Sequence, residues 1–392
     1  MSIRGPFILV ILIAIGVAAA VLLVLMLGRE RGRMLRRVGV VGLLAIFQLS
    51  GVLTAAVAAN DAFNFYPDWT SLLGATHGSR TLPPAPATLN QTALDALATQ
   101  PPGQGVLIPD VIHDPLSRLS TQASIYIPAA YATAGPSTTF SVVELIHGYP
   151  GSIANWTNTL SIRQTLDTEI STGRMPPVIA VIPNAIPTPP RDTECEDVPG
   201  GPQVETLLTV DLRTTILRQL RATPSRQAWA AIGYSTGAYC AVMFAFHHHD
   251  LYASAASMSG YFTALRDLTT GDLYKSAARR EYDSPSWYAP HHPEVRDVAL
   301  LLGLGGAEPE SRTEATHFAG VTPAGEHVQV AALRTGGHSF RMWRLLLPKC
   351  LDWLGTHVLA PQVPLTDTVP LAPVFPSPSP TWPHPGRPIG HN

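Results

Sequence analysis

Charged residues are scarce in this 392-residue chain, at 14 % of the sequence. Lysine occurs only at Lys275 and Lys349, and the net charge is −2 with histidine counted as neutral. This balance provides no basic surface for a phosphate backbone, so no nucleic-acid partner is expected. The chain also lacks an internal repeat, and its organisation is therefore deduced from individual segments.

Apolar residues are abundant, at 46 % of the sequence, and many of them lie near the N-terminus. Pro6–Leu27 is an uninterrupted apolar run, and residues 38–59 form a second run without charge. At about 1.5 Å per helical residue, each run can cross a hydrocarbon core of about 30 Å. We therefore predict two transmembrane helices, which form a membrane anchor over residues 1–60.

Five arginines lie between the two runs, in residues 28–37. The positive-inside rule places this loop in the cytoplasm, so both termini and everything after Asn60 are expected outside it. The alternative is a cleaved signal peptide, because Ala56-Val57-Ala58 resembles a cleavage site. Two long spans do not fit a single signal sequence, so a multi-pass protein in the cell membrane is the prediction.

The remaining chain divides into three parts by composition. Residues 61–105 are punctuated by proline and are expected to form a linker with a short helix at 89–99. Residues 106–360 are expected to form the catalytic domain. Residues 361–392 are rich in proline and serine and predict a disordered tail, which either has no role or spans the cell wall or binds a partner. Four aromatic residues after the second span fit an interfacial belt or packing against the domain: Phe63, Phe65, Tyr66 and Trp69.

Short apolar segments alternate with helical patterns from Val106 onward. The expected strands are 106–112, 120–127, 140–146, 178–182, 228–232, 253–258, 298–304 and 328–333, and the first two are expected to pair. Helical patterns occupy 204–220, 238–248 and 340–354. This alternation predicts an α/β fold with a mostly parallel central sheet. Active residues in such sheets lie at the carboxyl ends of strands.

The motif Gly233-Tyr234-Ser235-Thr236-Gly237 lies between a predicted strand and a predicted helix. This is the pattern of a nucleophile elbow, in which Ser235 lies on a sharp turn. The turn leaves no room for β-carbons at the flanking positions, which explains the glycines. The alternative is a serine in a purely structural turn.

A serine nucleophile needs a base within hydrogen-bond reach and an acid that orients the base. His338, in Gly336-Gly337-His338-Ser339, follows the last strand and is the predicted base. Glu308, after the preceding strand, is the predicted acid, with Glu310 as the second choice. Three other acidic residues lie in an irregular segment and are interpreted as solvated: Asp267, Asp272 and Asp283.

The tetrahedral intermediate needs fixed N–H donors directed at its oxyanion. One predicted donor is the backbone N–H of Thr236, the residue after the nucleophile. The other is Tyr149 in His147-Gly148-Tyr149-Pro150, since Pro150 has no N–H. The alternative for this second segment is an ordinary glycine turn.

These motifs resemble those of the esterase D / antigen 85 family of α/β-hydrolases, in a membrane-anchored bacterial form. The resemblance covers residues 106–357 and includes the acidic segment 192–197. It implies an α/β-hydrolase sandwich and a serine acyl hydrolase or acyltransferase mechanism. Ser235, Glu308 and His338 match the positions of the family's catalytic triad.

Cysteine is rare, with Cys195, Cys240 and Cys350 in the whole chain. An outward-facing domain lies in a compartment that permits disulfides. A Cys195–Cys240 bridge would hold the acidic segment beside the elbow. The alternative is three buried thiols. Cys350 is expected in the core in either case.

No metal or organic cofactor is expected. The run His247-His248-His249-Asp250 cannot direct every side chain at one ion, because consecutive helical residues point about 100° apart. It is interpreted as a polar helix end, and His291-His292 is interpreted in the same way. The acidic residues 192–197 are interpreted as solvated charge rather than as a cation site.

Residues 261–290 are too long for a simple connection and contain several aromatic residues. They are expected to form a partly helical cap over the serine or to pack on the surface. The whole pattern predicts an extracytoplasmic serine esterase whose partners are the membrane and a lipid or cell-envelope ester. The alternatives are an acyltransferase of the mycolyltransferase type and a catalytically silent envelope protein.

Overall fold

The computed structural model describes residues 6–27, 33–63, 89–113, 116–189, 191–293, 295, 297–323 and 327–363. Of the sequence predictions, the interfacial residues Phe65, Tyr66 and Trp69 and the tail beyond residue 363 lie outside these ranges.

Two long helices begin the described chain, α1 (Pro6–Leu27) and α2 (Arg33–Phe63). They pack closely, since a Cβ at Gly16 would lie 2.7 Å from the Ser50 hydroxyl. Their apolar stretches, Phe7–Met26 and Arg37–Asp61, have mean hydropathies of 3.4 and 2.2. Both helices are therefore candidate membrane spans by length and composition.

The domain is built on one eight-stranded sheet. Its strands are β1 (Val106–His113), β2 (Ser120–Ile127), β3 (Ser141–Ile146), β4 (Val178–Pro183), β5 (Trp229–Tyr234), β6 (Ser254–Met258), β7 (Ala299–Leu304) and β8 (Val328–Ala332). The spatial order is β1-β2-β4-β3-β5-β6-β7-β8. β2 is antiparallel to both β1 and β4, and every other neighbouring pair is parallel. The prediction of a mostly parallel α/β sheet, with the first two strands paired, is confirmed.

The central strands are buried throughout and largely apolar, because both faces of the sheet are covered. In β3, Val142 and Ile146 face one core cluster, and Val143 and Leu145 face the other. The first cluster includes residues 239–246 of α8 (Thr236–His247). The second includes α5 (Ile162–Ser171) and α12 (Phe340–Gly355), which contact each other.

The other helices are shorter or lie at the periphery: α3 (Leu89–Ala98), α4 (Ala130–Thr133), α6 (Val204–Thr206), α7 (Leu212–Gln219), α9 (Ala277–Tyr282), α10 (Pro285–His291) and α11 (Pro309–Val321). A π-helical segment, Leu207–Asp211, joins α6 to α7, so the predicted helix over 204–220 is one rod with a widened turn. Helix α3 buries Leu89, Ala93 and Leu97 in the first core cluster. This part of the predicted linker thus packs on the domain.

Candidate active site

The elbow between β5 and α8 places Ser235 in a strained backbone conformation, with φ 56° and ψ −127°. A Cβ at Gly233 would lie 2.0 Å from the Gly237 carbonyl oxygen. A Cβ at Gly237 would lie 2.2 Å from the Ile146 carbonyl oxygen. Because neither contact is tolerable, the turn requires glycine at both positions, as expected for strain held at a functional site.

Ser235, His338 and Glu308 form one continuous hydrogen-bonded row. The Ser235 Oγ lies 2.9 Å from His338 Nε2, and His338 Nδ1 lies 3.1 Å from Glu308 Oε1. The three residues follow β5, β8 and β7, whose carboxyl ends meet at one edge of the sheet. With its proton on Nδ1, the imidazole can donate to Glu308 and accept from the Ser235 hydroxyl. This is the relation of nucleophile, base and orienting acid.

The Glu308 carboxylate is buried and accepts two further hydrogen bonds. The Gly305 N–H donates to Oε2 over 2.5 Å, and the Ser259 hydroxyl donates to the same oxygen over 2.9 Å. Burial alone would raise the pKa of Glu308, but the hydrogen bonds, first that from His338, lower it below the usual value. The group is therefore ionised at neutral pH. Glu310, the second choice from the sequence, is exposed in the first turn of α11.

Ser259 is a site residue that the sequence analysis missed. It follows β6, is 1 % exposed, and has a left-handed φ of 55°. Its hydroxyl accepts a hydrogen bond from Trp343 Nε1 over 3.0 Å. A chain of donors thus runs from the indole of Trp343 through Ser259 to Glu308. The available signal was the position of Ser259 directly after a predicted strand, at the edge where active residues gather.

The loop after β3 lies against Ser235. A Cβ at Gly148 would lie 2.9 Å from the Ser235 Cβ, so only glycine allows this approach. His147 Nε2 accepts from the Ala185 N–H over 3.0 Å, which leaves its Nδ1–H directed at the Gly148 carbonyl, 2.9 Å away. Burial lowers the pKa of His147 and keeps the ring neutral. This histidine fixes the loop that carries Tyr149.

Both residues that carry the predicted oxyanion donors lie near Ser235. Thr236 is the first residue of α8, where backbone N–H groups have no partner within the helix. Tyr149 lines the cleft at Ser235. The lining residues of this cleft are Gly148, Tyr149, Pro150, Tyr234, Ser235, His338, Phe340 and Trp343.

The predicted cap, residues 261–290, contributes none of these lining residues. It does contain helices, α9 and α10, but it packs against the acidic segment instead. Arg191, just before that segment, donates to the Thr270 carbonyl over 2.9 Å. Of the two expectations for residues 261–290, the structure thus favours packing beside the site over coverage of the serine.

The acidic segment is buried, so its interpretation as solvated charge is wrong. Asp192, Glu194 and Glu196 are 4 %, 0 % and 2 % exposed. Glu194 accepts hydrogen bonds from the hydroxyls of Tyr261 and Tyr274. Burial raises its pKa to about 8 despite these bonds. The charges are tolerated because aromatic hydroxyls and protonation replace water.

This segment is tied to the elbow helix at two points. The Thr236 hydroxyl donates to Asp192 Oδ2 over 3.4 Å, and burial raises the pKa of Asp192 to about 6. Cys195 and Cys240 form a disulfide with an S–S distance of 2.11 Å. Cys350 is a free, buried thiol, as expected. The acidic segment is therefore attached to the helix that begins next to Ser235.

The histidine run binds a buried glutamate. Helix α8 ends at His247, but His247 Nδ1 and His248 Nε2 each lie 3.0 Å from Glu205 Oε1. The run ends helix α8, as its interpretation as a polar helix end predicts, and two of its rings also contact a buried carboxylate. No group of three or more His, Cys, Asp or Glu residues in the described chain is arranged to hold a metal.

The interpretation of Asp283 as solvated is also wrong. Asp283 is fully buried, and its carboxylate lies 2.6 Å from the Arg279 guanidinium. The backbone carbonyl of Asp283 also accepts from the Tyr239 hydroxyl over 2.6 Å. The cation and the surrounding rings replace the water that the sequence interpretation assumed. Asp267 and Asp272 are exposed, as expected.

The sheet order, the elbow and the flanking helices define an α/β-hydrolase. The family model described as "Putative esterase" matches residues 119–354, well over half of the chain. The chain belongs to that esterase family, and its resemblance to the esterase D / antigen 85 group is confirmed. The family assignment makes the chain a carboxylesterase-type hydrolase.

Individual relatives are distant. An uncharacterized protein of Corynebacterium glutamicum is 25 % identical over 311 residues, which cover 75 % of this chain and 68 % of the relative. An S-formylglutathione hydrolase from Agrobacterium tumefaciens is 15 % identical, with a TM-score of 0.55, 66 % of this chain covered and 98 % of that one. A ferulic acid esterase is 19 % identical, with a TM-score of 0.53 and coverages of 64 % and 98 %. At these identities the solved structures establish the fold.

Proposed function

We propose that this protein is a membrane-anchored, extracytoplasmic serine esterase that cleaves carboxylic esters of lipid or cell-envelope components through an acyl-enzyme. The observation that supports this most directly is the row Ser235–His338–Glu308, with distances of 2.9 and 3.1 Å. It lies beside an open cleft and on an esterase-family fold.

In the first half-reaction, His338 Nε2 takes the Ser235 proton while the serine oxygen attacks the ester carbonyl carbon. The N–H groups of Thr236 and Tyr149 stabilise the oxyanion. Glu308 orients the imidazole and stabilises its charged form. His338 then gives its proton to the departing alkoxide, which leaves as the alcohol.

In the second half-reaction, water occupies the place that the alcohol left. His338 takes a proton from this water, the hydroxide oxygen bonds to the acyl carbon, and the bond to Ser235 breaks. The proton on His338 returns to the Ser235 oxygen, and the carboxylic acid is released. An alcohol in place of water would give acyl transfer through the same steps.

The extracytoplasmic location is supported by the two apolar helices, the arginine loop between them and the disulfide, which is typical of oxidising compartments. Tethering at the bilayer brings lipid and envelope esters close to the site. Single cysteines placed in the arginine loop are expected to resist a membrane-impermeant maleimide in intact cells. Labelling of that loop from outside would overturn the topology.

A fluorophosphonate probe tests the mechanism, because it reacts covalently with an activated serine. The full-length, detergent-solubilised protein is expected to be labelled, and the variants Ser235→Ala and His338→Ala are not. Two matched controls are expected to be labelled like the wild type. They are Ser254→Ala, whose buried hydroxyl has no partner among the described residues, and His291→Ala, which is exposed. An unlabelled wild type beside an active control esterase would contradict the proposal.

A further inference from the structure

We propose that the acyl half of the substrate is compact, either one ring or a short chain, and that the alcohol half carries the bulk. This inference rests on the proposed esterase function of the same site. It follows from the size of the cleft, from the packing of its wall, and from the side on which the alcohol must leave.

The cleft at Ser235 has a volume of about 180 Å³. A protein cavity of about 150 Å³ holds one benzene molecule, so this cleft has room for a single ring or about six carbons. Its inner wall is aromatic, formed by Tyr234, Phe340 and Trp343. Such a wall suits an apolar acyl group and offers nothing to a charged one.

The aromatic wall is closely packed. The rings of Tyr234 and Trp343 stack at 4.5 Å, and Phe340 meets them edge-on at 5.2 and 4.8 Å. Trp156, fully buried, lies behind Tyr234 at 5.4 Å. Hydrogen bonding to Ser259 fixes the Trp343 indole. Extending the cleft inward would require repacking of this cluster of buried rings, which destabilises the fold.

The chemistry assigns the two sides of the ester. The leaving alkoxide must contact His338 Nε2 to receive its proton. The His338 side chain is 47 % exposed, whereas the side chain of its partner Glu308 is 4 % exposed. The His338 ring meets Trp343 edge-on at 5.0 Å, and the rest of the ring is open to solvent. The alcohol is therefore placed on the solvent-facing side of this ring, and the acyl group against the aromatic wall. A large envelope polymer or lipid that carries small acyl substituents on its hydroxyls fits this arrangement.

The test is the rate of hydrolysis of p-nitrophenyl esters with acyl chains from acetate to palmitate, together with benzoate. The full-length protein is used in a non-ionic detergent. The kcat/KM is expected to be highest at or below hexanoate and to fall at least tenfold by dodecanoate. Phe340→Ala and the milder Phe340→Leu are expected to move the optimum to longer chains. Leu345→Ala, an exposed residue of the same helix, is the matched control and is expected to leave the profile unchanged.

Dodecanoate or palmitate hydrolysed as fast as butyrate by the wild type would overturn the inference, and so would a profile that Phe340→Ala leaves unmoved. If the Phe340 variants fail to fold, the wild-type series decides alone. Fluorophosphonate labelling separates this failure from failure of the esterase function. A labelled enzyme without chain-length discrimination refutes only the compact acyl site, whereas an unlabelled wild type that turns over no ester refutes both.

Discussion

Deleting the Ser259 hydroxyl removes one of the three hydrogen bonds that hold the Glu308 carboxylate. In the Ser259→Ala variant, the Trp343 indole N–H also loses its acceptor. Serine and alanine carry the same backbone strain at a φ of 55°, so the turn after β6 is expected to persist. The variant therefore tests whether Ser259 positions the acid.

The expected magnitude follows from the partners. A hydrogen bond to a charged group contributes about 1.5–3 kcal/mol. About 1.4 kcal/mol is a factor of ten in rate, so kcat is expected to fall about 10- to 150-fold if the whole of this loss is expressed in the transition state. The KM is expected to change less than kcat, because Ser259 lies behind Glu308 and reaches the cleft only through Trp343. Fewer donors also raise the pKa of Glu308, so activity that is lost on protonation of this carboxyl is lost at a higher pH in the acidic limb of kcat/KM.

The assay is the hydrolysis of p-nitrophenyl acetate over the range from acid to neutral pH, with kcat and KM determined separately. Trp343→Phe, which keeps a ring but removes the N–H, is expected to move kcat and the acidic limb in the same direction by a smaller amount. Trp156→Phe is the matched control. It removes an indole N–H that has no partner among the described residues, from a ring that also packs on Tyr234.

The reasoning would be refuted by a Ser259→Ala variant with wild-type kcat and an unchanged acidic limb. If Trp156→Phe and Trp343→Phe lower kcat equally, the effect of Trp343→Phe comes from packing and not from the lost hydrogen bond.

Two further predictions concern stability. Replacing Cys195 and Cys240 by serine is expected to lower the free energy of unfolding by about 4 kcal/mol, from a loop closed over 45 residues, as measured by denaturant titration with the non-reduced wild type as control. Burial raises the pKa of Glu144 to about 8 in the folded protein. Its contribution to the free energy of unfolding is therefore fully present below its pKa in the unfolded chain, and it is lost as the pH rises through about 8. The variant Glu144→Gln keeps an acceptor for the Tyr252 hydroxyl and is expected to lose less stability with rising pH, as measured by thermal melts at several pH values. If the pH dependence of its stability equals that of the wild type, other groups cause the loss.

The sheet could be predicted from sequence because parallel strands covered on both faces are continuous apolar runs. β5 and β7 are of this kind, and each is followed by glycine or a polar turn. Chain order alone then placed Ser235, Glu308 and His338 at the ends of strands that share one edge. The helix α11 gave a much weaker signal, since Ala315 and Phe318 are the buried residues in its thirteen positions.

The buried acids could not be predicted, because their partners are distant in sequence. Glu194 looks solvated within its own charged segment, and its burial depends on Tyr261 and Tyr274, which lie 67 and 80 residues away. Ser259 presents the same difficulty, since its role depends on β6 lying beside β7. The local sequence pattern indicates that an apolar run is buried. It does not indicate which partners a polar side chain contacts in the folded protein.

The indole of Trp343 has two roles. Its ring lines the cleft, and its N–H donates a hydrogen bond to Ser259 behind Glu308. A change at this position that admitted a different acyl group would also loosen the acid of the proposed triad. Phe340 borders the same cleft without that second attachment. Substitutions at position 340 are therefore expected to change the acyl preference more readily than substitutions at position 343, which has two roles. The same holds for laboratory selection and for natural divergence.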